Sequence, residues 1–495
     1  MMGPQTIASR PLVWPAVAEE LRAAVLAAAG DAAIYLVGGV VRDAWLGRYS
    51  QDWDIATNGA ARCLAQRVAR QLGAAYYPLD DARDVGRVLW EEDAQRVIID
   101  IAALRGERCA DPIQRLTMDL QERDFTINAM AVDWREEEPQ LIDPLGGAAD
   151  LLKGQLRLCR SDSLRSDPLR AFRGVRLAAG FKLRLPGETA QAIRQAAPNL
   201  LQVAPERVRE EWHKLLALPN AGAALRVAGR LGLLDALLPW LANWREEHEE
   251  HKENQRTGWD ERLAVLAGLQ ALHSVIDAQR SADATATIAT GMFAIQVGGI
   301  RARLQQVLAE ETGGDVALRA LAVLFSGLAA AEIRDWGKRW RYSGEEIQWL
   351  IQVTRDAHDL LPCLRAGTNW DLCAHRYWRA SGPAGFERAL LILAEALAAP
   401  PEAFDVDEWL ELLDQQRKLM TTYFEEYDRV IAPKPLVDGT VLMNELGLSP
   451  GPRIGALLDA LREAQVVGEI HDEGAALQLA RSLAATYRPG EAPRR

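Results

Sequence analysis

The sequence predicts an α+β fold: a head with a small mixed β-sheet at the N-terminal end, then all-α segments. Three observations predict it. In the first ~150 residues, short β-branched runs such as Ile34–Val37 and Val97–Ile101 are separated by turn residues. From Leu231 to about Tyr427 the chain is rich in Leu, Ala and Trp at helical spacing, with few strand signals. At 495 residues it exceeds a single core, so two to four domains are expected. The expected boundaries are 1–152 for the head, then 153–230, 231–430 and 431–495 for three helical segments.

Composition excludes several classes. Apolar content is ordinary for a globular chain. No run approaches ~20 apolar residues, so no membrane span is expected. Met1–Arg10 lacks the charged-then-apolar pattern of a signal peptide. Five scattered cysteines give neither a disulfide framework nor a zinc spacing, and they fit a reducing cytoplasm. Cys373-Ala-His375 reads as a helical core position rather than a metal site. The net charge of −12 argues against a nucleic-acid partner, but net charge hides distribution. Between Lys153 and Lys214, 13 Lys and Arg stand against 6 Asp and Glu, a local excess of +7. Such a segment is compatible with a nucleic-acid or polyphosphate partner.

In chain order, residues 14–30 carry Trp14, Val17, Leu21, Val25 and Leu26 at helical spacing. Ile34–Val37 follows as a buried strand. Gly38-Gly39 lets the backbone turn sharply and approach a ligand. Val40–Leu46 reads as a helix whose N-terminus favours phosphate, ended by Gly47. Asp52-Trp53-Asp54 enters the next strand, and residues i and i+2 of a strand share a face. Asp52 and Asp54 therefore present two carboxylates together, an oxygen donor pair suited to Mg²⁺. Singly, a Gly-Gly is usually a turn and an Asp-x-Asp a solvated loop. Glycines, the basic Arg42 and a carboxylate pair within about twenty residues describe a nucleoside triphosphate–Mg²⁺ site. No G-x-x-x-x-G-K-[ST] and no G-x-G-x-x-G is present, which excludes a P-loop and disfavours a dinucleotide fold.

Gly38-Gly39-x-x-Arg42-Asp43 with Asp52-x-Asp54 resembles the first motif of the class II tRNA nucleotidyltransferases: CCA-adding, CC-adding and A-adding enzymes with their poly(A) polymerase relatives, within the DNA polymerase β-like superfamily. The resemblance implies Asp52 and Asp54 as catalytic ligands of two Mg²⁺ ions, with Gly38, Gly39 and Arg42 on the triphosphate.

Residues 60–72 read as a helix, and Ala74–Leu79, Val85–Trp90 and Arg96–Ile101 as strands. Asp100 is either a third metal carboxylate or an edge-strand aspartate in water. Arg123-Asp124-Phe125-Thr126-Ile127-Asn128-Ala129-Met130 matches eight consecutive positions of the family's second motif. It implies Arg123 on phosphate and Asp124 and Asn128 on the ribose, chemistry those side chains can supply. Asp143-Pro-Leu-Gly-Gly-Ala-Ala-Asp150 resembles the third motif, a hinge between head and neck.

Ser166-Asp167-Pro168-Leu169-Arg170 opens a helix through Arg173 and Arg176 to Gly180. Asp before Pro is an ordinary helix start. Yet Asp167 and Arg170 share a helix face, one offering an acceptor and the other donors. Together they match the edge of cytosine or adenine and reject uracil and guanine. The family's Glu-Asp-x-x-Arg motif is used in this way, but Ser166 stands where its Glu does, which bears on how rigidly the pair is held. Arg173 and Arg176 are further candidates for nucleotide contact. Glu206-Arg207-Val-Arg209-Glu-Glu211-Trp-His-Lys214 resembles the fifth motif, and its Glu211–Lys214 spacing suits a plain helix pair.

In the body, Glu246–Glu253 is a charge run in which His248 and His251 read as solvated rather than metal-binding. Pro433-Lys-Pro435 marks the tail. Gly447–Gly455 then feeds the helix Ala456–Val466, either as a backbone-phosphate contact or as a plain turn. The resemblance implies the former, in a tail that grips the tRNA body. Residues from Tyr487 are expected to lack fixed structure.

The activity implied is Mg²⁺-dependent addition of nucleotides from CTP and/or ATP to the tRNA 3′ end, in the cytoplasm. The alternatives are a poly(A) polymerase on general RNA ends, or a catalytically idle RNA-binding protein that intact Asp52 and Asp54 disfavour. Only 17 residues, Gly106–Glu122, separate Arg105 from Arg123, including a compact helical stretch Gln114–Gln121. A short connection limits reach. CCA-adding members carry a longer loop there and CC-adding members lack it, so the resemblance implies CC addition with a separate A-adding partner.

Overall fold

The computed structural model describes residues 11–92, 95–105, 111–241, 258–277, 287–312, 314–354 and 369–486. The charge run with His248 and His251, and the chain from Tyr487, lie outside them. The chain divides into two compact units, residues 1–211 with 223–239, and residues 212–222 with 240–495. Among the described residues no helix is long and apolar enough to cross a membrane.

The first unit is built on a seven-stranded mixed sheet of order β3-β4-β5-β2-β1-β6-β7. Its strands are β1 (Ile34–Val37), β2 (Asp52–Thr57), β3 (Ala75–Asp80), β4 (Val85–Glu92), β5 (Gln95–Ala103), β6 (Ala131–Asp133) and β7 (Leu141–Ile142). Only β2 and β5 run parallel; every other pair is antiparallel. The alternation of a strand decides what each face carries. Leu36, Trp53, Ile55, Val88, Ile99 and Ile101 face one side and pack on α1 (Val17–Ala29) and α3 (Ala61–Leu72). Trp53 is 1% exposed and lies against Trp14 and Trp134 at 6.1 and 5.7 Å between ring centroids. Tyr35, Val37 and Ala56 face the other side, with Leu116 and Leu120 of α4 (Pro112–Gln121). Burying Trp53 and Ile55 on the first face therefore forces Asp52 and Asp54 onto the second.

β1, β2 and β5 fall where the sequence expects them, give or take two residues. β6 and β7 do not arise from the sequence reading: at three and two residues they are too short for any periodicity. Asp100 is not on an edge strand, because β5 lies between β4 and β2. After the sheet, Asp143 accepts from the amides of Gly147 and Ala148 at 2.7 and 2.9 Å and caps α5 (Gly147–Leu152). A Cβ on Gly147 would strike the Thr126 carbonyl, so only glycine fits that start. Short α6 (Ser163–Ser166), α7 (Leu169–Gly180), α8 (Gly187–Ala196) and α9 (Pro205–Leu216) follow.

Every regular element among the described residues of the second unit is a helix. Gly258–Ile276 packs against Gly385–Leu397, and a Cβ on Gly268 would sit 3.1 Å from the Ala394 carbonyl, so glycine permits the close approach. Cys373 and His375 are buried in the helix Trp370–Ser381, with His375 Nδ1 2.7 Å from the Val430 carbonyl. Cys373 is disulfide-bonded, a bridge the sequence reading did not expect. The tail helices Gly439–Leu446, Pro452–Val466 and Glu473–Thr486 enclose a core of their own around Leu442, Ile454, Leu457 and Ala476.

One buried polar cluster makes a pH prediction. Glu387 is fully buried, with His273 Nε2 at 2.8 Å and Arg319 Nε at 3.5 Å. Burial, and then the charge of Glu387, push the Glu311 carboxyl from 4.5 up to about 8, although Trp349 Nε1 donates to it at 3.0 Å. The folded chain therefore holds a proton that the unfolded chain releases near pH 4.5. The stability from that proton is full below pH 4.5 and is lost as pH rises through about 8. Glu311→Gln is expected to match the parent near pH 4.5 and to exceed it by the order of 1–3 kcal/mol at high pH. Thermal unfolding of both proteins across this range measures the difference; a pH-independent difference overturns it.

Candidate active site

β2 and β5 bring three carboxylates to one region. Asp52 lies opposite Ile98 and Asp54 opposite Asp100, so the register sets Asp54 and Asp100 side by side. Asp52 is exposed at the strand start and Asp54 is partly buried. Burial raises the Asp54 pKa, Asp100 and Asp52 add to this, and Arg123 and Arg173 oppose it. Asp100 is taken by Arg87, whose Nε and Nη2 each stand 2.7 Å from a carboxylate oxygen. Among the described residues no three His, Cys, Asp or Glu side chains are gathered closely enough to hold an ion. The donor set facing the site is thus Asp52 with Asp54, and Asp100 is its immediate, arginine-bound neighbour. An all-oxygen pair beside further negative charge suits a hard divalent cation such as Mg²⁺.

Gly38 supplies space. It lies between β1 and α2 (Gly39–Trp45) with φ +81° and ψ −134°, a region that side chains disfavour. A Cβ there would stand 2.5 Å from Arg123 Nη1 and 3.1 Å from Asp54 Oδ2. Asp54, Gly38 and Arg123 therefore meet at one point. Helix α2 has only seven residues, so the bare backbone of Gly38, more than a helix dipole, opens the site. Gly38→Ala is expected to cost about 1–3 kcal/mol in strain and to displace Arg123, lowering kcat/KM for the triphosphate about tenfold. Thermal melts with steady-state kinetics test this, and parent-like kinetics would remove Gly38 and Arg123 from the site.

The other basic and polar candidates form a connected chain. Arg42 is buried, with Nε and Nη2 each 3.0 Å from an Asp43 oxygen, Nη1 on Asn128 Oδ1, and its guanidinium 4.3 Å from the Phe181 ring centroid. Asn128 Nδ2 donates to Asp124 at 3.1 Å. The Phe125 amide donates to Asp124 at 2.7 Å and Arg173 Nη1 at 3.2 Å. Burial alone would raise the Asp124 pKa, but Arg173, Asn128 and the Phe125 amide together hold it below the usual carboxylate range. Arg173 and Arg176, candidates for nucleotide contact, each donate through Nε to Glu211. Sequence reasoning gave Glu211 a plain helix pair with Lys214 and missed these partners, which lie 38 and 35 residues away.

Asp167 does not share a helix face with Arg170 as the sequence suggests: it is extended (φ −146°, ψ 97°) between α6 and α7, while Arg170 lies in the first turn of α7, and both are partnered. Asp167 Oδ2 accepts from Arg207 Nη2 at 2.8 Å, and Oδ1 from the Leu169 amide at 3.3 Å. Arg170 donates to Ser163 Oγ at 2.6 Å, to the Arg123 carbonyl at 3.4 Å and to the Glu122 carbonyl at 3.0 Å. Arg170 is thus braced without the glutamate that Ser166 replaces; Ser166 Oγ only donates to the Ser163 carbonyl at 2.9 Å.

Comparison with known proteins adds to this geometry. Residues 34–157 match the poly A polymerase head domain, 182–245 the RNA- and SrmB-binding site of polymerase A, and 315–480 the tRNA nucleotidyltransferase domain 2. The A-adding tRNA nucleotidyltransferase of Deinococcus radiodurans is 31% identical over 447 residues, covering 88% of this chain and 92% of that protein. The CC-adding tRNA nucleotidyltransferase of Geobacter sulfurreducens is 30% identical, over 90% of this chain and 91% of that protein. A CCA-adding enzyme in complex with ATP superposes with a TM-score of 0.62 at 21% identity, over 96% of this chain and 97% of that one. The Thermotoga maritima CCA-adding enzyme complexed with tRNA superposes at 0.57, also at 21% identity and over the same shares. At that identity the superpositions speak to the fold.

Proposed function

The chain belongs to the tRNA nucleotidyltransferase and poly(A) polymerase family, and from that premise we propose that it adds nucleotides from CTP and/or ATP to the 3′ end of tRNA, releasing pyrophosphate without a nucleic-acid template. The observation that carries this reading is the meeting of Asp54, Arg123 and the bare backbone of Gly38 beside Asp52. Asp52 and Asp54 would hold Mg²⁺. When bound, such ions activate the 3′-hydroxyl and neutralise charge on the triphosphate. Gly38 and Gly39 leave room for phosphate oxygens. Arg123 offers a guanidinium against them, and Arg42 adds fixed positive charge from its Asp43–Asn128 anchorage. Asp124, kept ionised, accepts from the sugar hydroxyls, and Asn128 fixes it. Asp167 and Arg170 read the base edge.

The relatives named A-adding and CC-adding match to similar degrees. The CC-only reading is supported by the connection ahead of Arg123, most of whose described part is helix α4, capped by Asp111 accepting from the Gln114 amide at 3.2 Å. A separate A-adding enzyme would then complete the end. The experiment supplies tRNA ending at the discriminator base with CTP and ATP and reads product length. Accumulation at plus two supports CC addition, and plus-three product ending in A replaces it with CCA addition. Addition of A alone to tRNA ending in CC makes the protein the A-adding partner. Equal extension of unstructured RNA favours a poly(A) polymerase.

A further inference from the structure

Glu211 lies on α9 and is only 4% exposed, yet both its oxygens are engaged from another helix. Oε1 accepts from Arg173 Nε at 3.3 Å, and Oε2 from Arg176 Nε at 2.9 Å. The far end of the same Arg173 guanidinium reaches Asp124 Oδ2 at 3.2 Å. Burial opposes the charge on Arg173, and Asp124 and Glu211 outweigh it. One planar cation is thus held at both ends by two buried carboxylates.

We infer that Glu211 is a positioning residue for ribonucleotide selection, acting through Arg173 on Asp124. This rests on the reading of Asp124 as the acceptor for the sugar hydroxyls. Oδ1 of Asp124 already takes the Phe125 amide and Asn128 Nδ2. A carboxylate has about four lone-pair sites, so the hydroxyl must be met by Oδ2, on the side that Arg173 occupies. Where Oδ2 points is therefore set by where Arg173 Nη1 sits. Arginine is long and rich in rotamers, and its planar fork is pre-organised only when both ends are bound. Glu211 supplies the anchor at Nε. Arg176 shares the carboxylate, so a neutral amide at this position would serve at most one of the two arginines and turn a donor toward the other.

A site built to bond a hydroxyl discriminates against substrates lacking it, because the buried acceptor is then left unpaired. The test compares the ribonucleotide that the parent uses with its 2′-deoxy form, on a tRNA transcript at fixed Mg²⁺. The proteins are the parent, Glu211→Gln, Arg173→Lys and Asp124→Asn, each with a thermal melt. Glu211→Gln is expected to lower the ribo-to-deoxy ratio of kcat/KM about tenfold, through a raised KM for the ribonucleotide and an unchanged KM for the deoxynucleotide. Should it not fold, Arg173→Lys carries the test, since one ammonium cannot bridge both carboxylates; it is expected to lower the ratio equally. A lower melting temperature with a parent-like ratio gives Glu211 a purely structural role and overturns the inference. A parent-like ratio in Glu211→Gln and Arg173→Lys alongside a collapsed ratio in Asp124→Asn overturns it while sparing the ribose reading. A parent-like ratio in Asp124→Asn removes both.

Discussion

Asp54→Ala and Asp52→Ala are each expected to lose about three orders of magnitude or more in nucleotide incorporation while keeping the fold. The paired carboxylates are the proposed oxygen donors to Mg²⁺, with Asp54 beside the bare Gly38 turn, and cation stabilisation of a transferring phosphoryl group is worth several kcal/mol, about a thousandfold in rate. Neither substitution touches the core, since Trp53 and Ile55 between and beside them point to the opposite face. Asp54→Asn also relieves crowding with Asp100 and Asp52, so its metal-free melting temperature is expected to equal or exceed that of the parent. Asp100→Asn separates the two readings of that residue. A loss as deep as that of Asp54→Ala makes Asp100 a third ligand, whereas a small loss leaves it as the partner of Arg87. Radiolabelled incorporation at saturating Mg²⁺, with thermal melts, measures all four. Near-normal incorporation by Asp52→Ala or Asp54→Ala sinks the metal assignment.

The legible parts of this molecule are those whose cause is local. Gly38-Gly39 and Gly47 punctuate β1, α2 and β2 so closely that element order and face follow from the spacing alone. The Asp52–Asp54 pair is local too, since strand alternation guarantees it. What was not legible depends on contacts across the chain. The parallel pairing of β2 with β5 skips two intervening strands, so sequence alone left Asp100 between a ligand and an edge residue. Arg42 reads as a free phosphate cation, but its anchor on Asn128 lies 86 residues away. Glu211 has a local explanation in Lys214, and that explanation hid its long-range partners. Ser166 breaks the family pattern, yet the brace it removes is supplied by Ser163 and two backbone carbonyls, which no motif records.

Substitution of Asp167 and of Arg170 is expected to separate base choice from triphosphate binding. Asp167 has two of its about four lone-pair sites filled, by Arg207 and the Leu169 amide. It keeps capacity to accept from an exocyclic amine, and its side-chain partners Arg207 and Leu169 are not among the residues proposed for the phosphates. Asp167→Ala should therefore relax selection against UTP and GTP by ~1–3 kcal/mol, about tenfold to a hundredfold, with little change in KM for the preferred nucleotide. Arg170 differs. Its guanidinium holds the carbonyls of Glu122 and Arg123, the backbone that aims Arg123 at Gly38 and leads into Asp124, the residue proposed for the sugar. Arg170→Ala should relax selection by a similar amount and also raise the triphosphate KM about tenfold. Arg170→Lys should not restore either, because a point charge cannot replace a fork on three acceptors. The measurement is kcat/KM for all four nucleotides with each variant. If Asp167→Ala and Arg170→Ala still exclude UTP and GTP as the parent does, base reading by this pair is wrong and Asp167 is a helix cap. If only the KM of Arg170→Ala moves, Arg170 is a brace for the loop of Arg123 and selection lies elsewhere on α7.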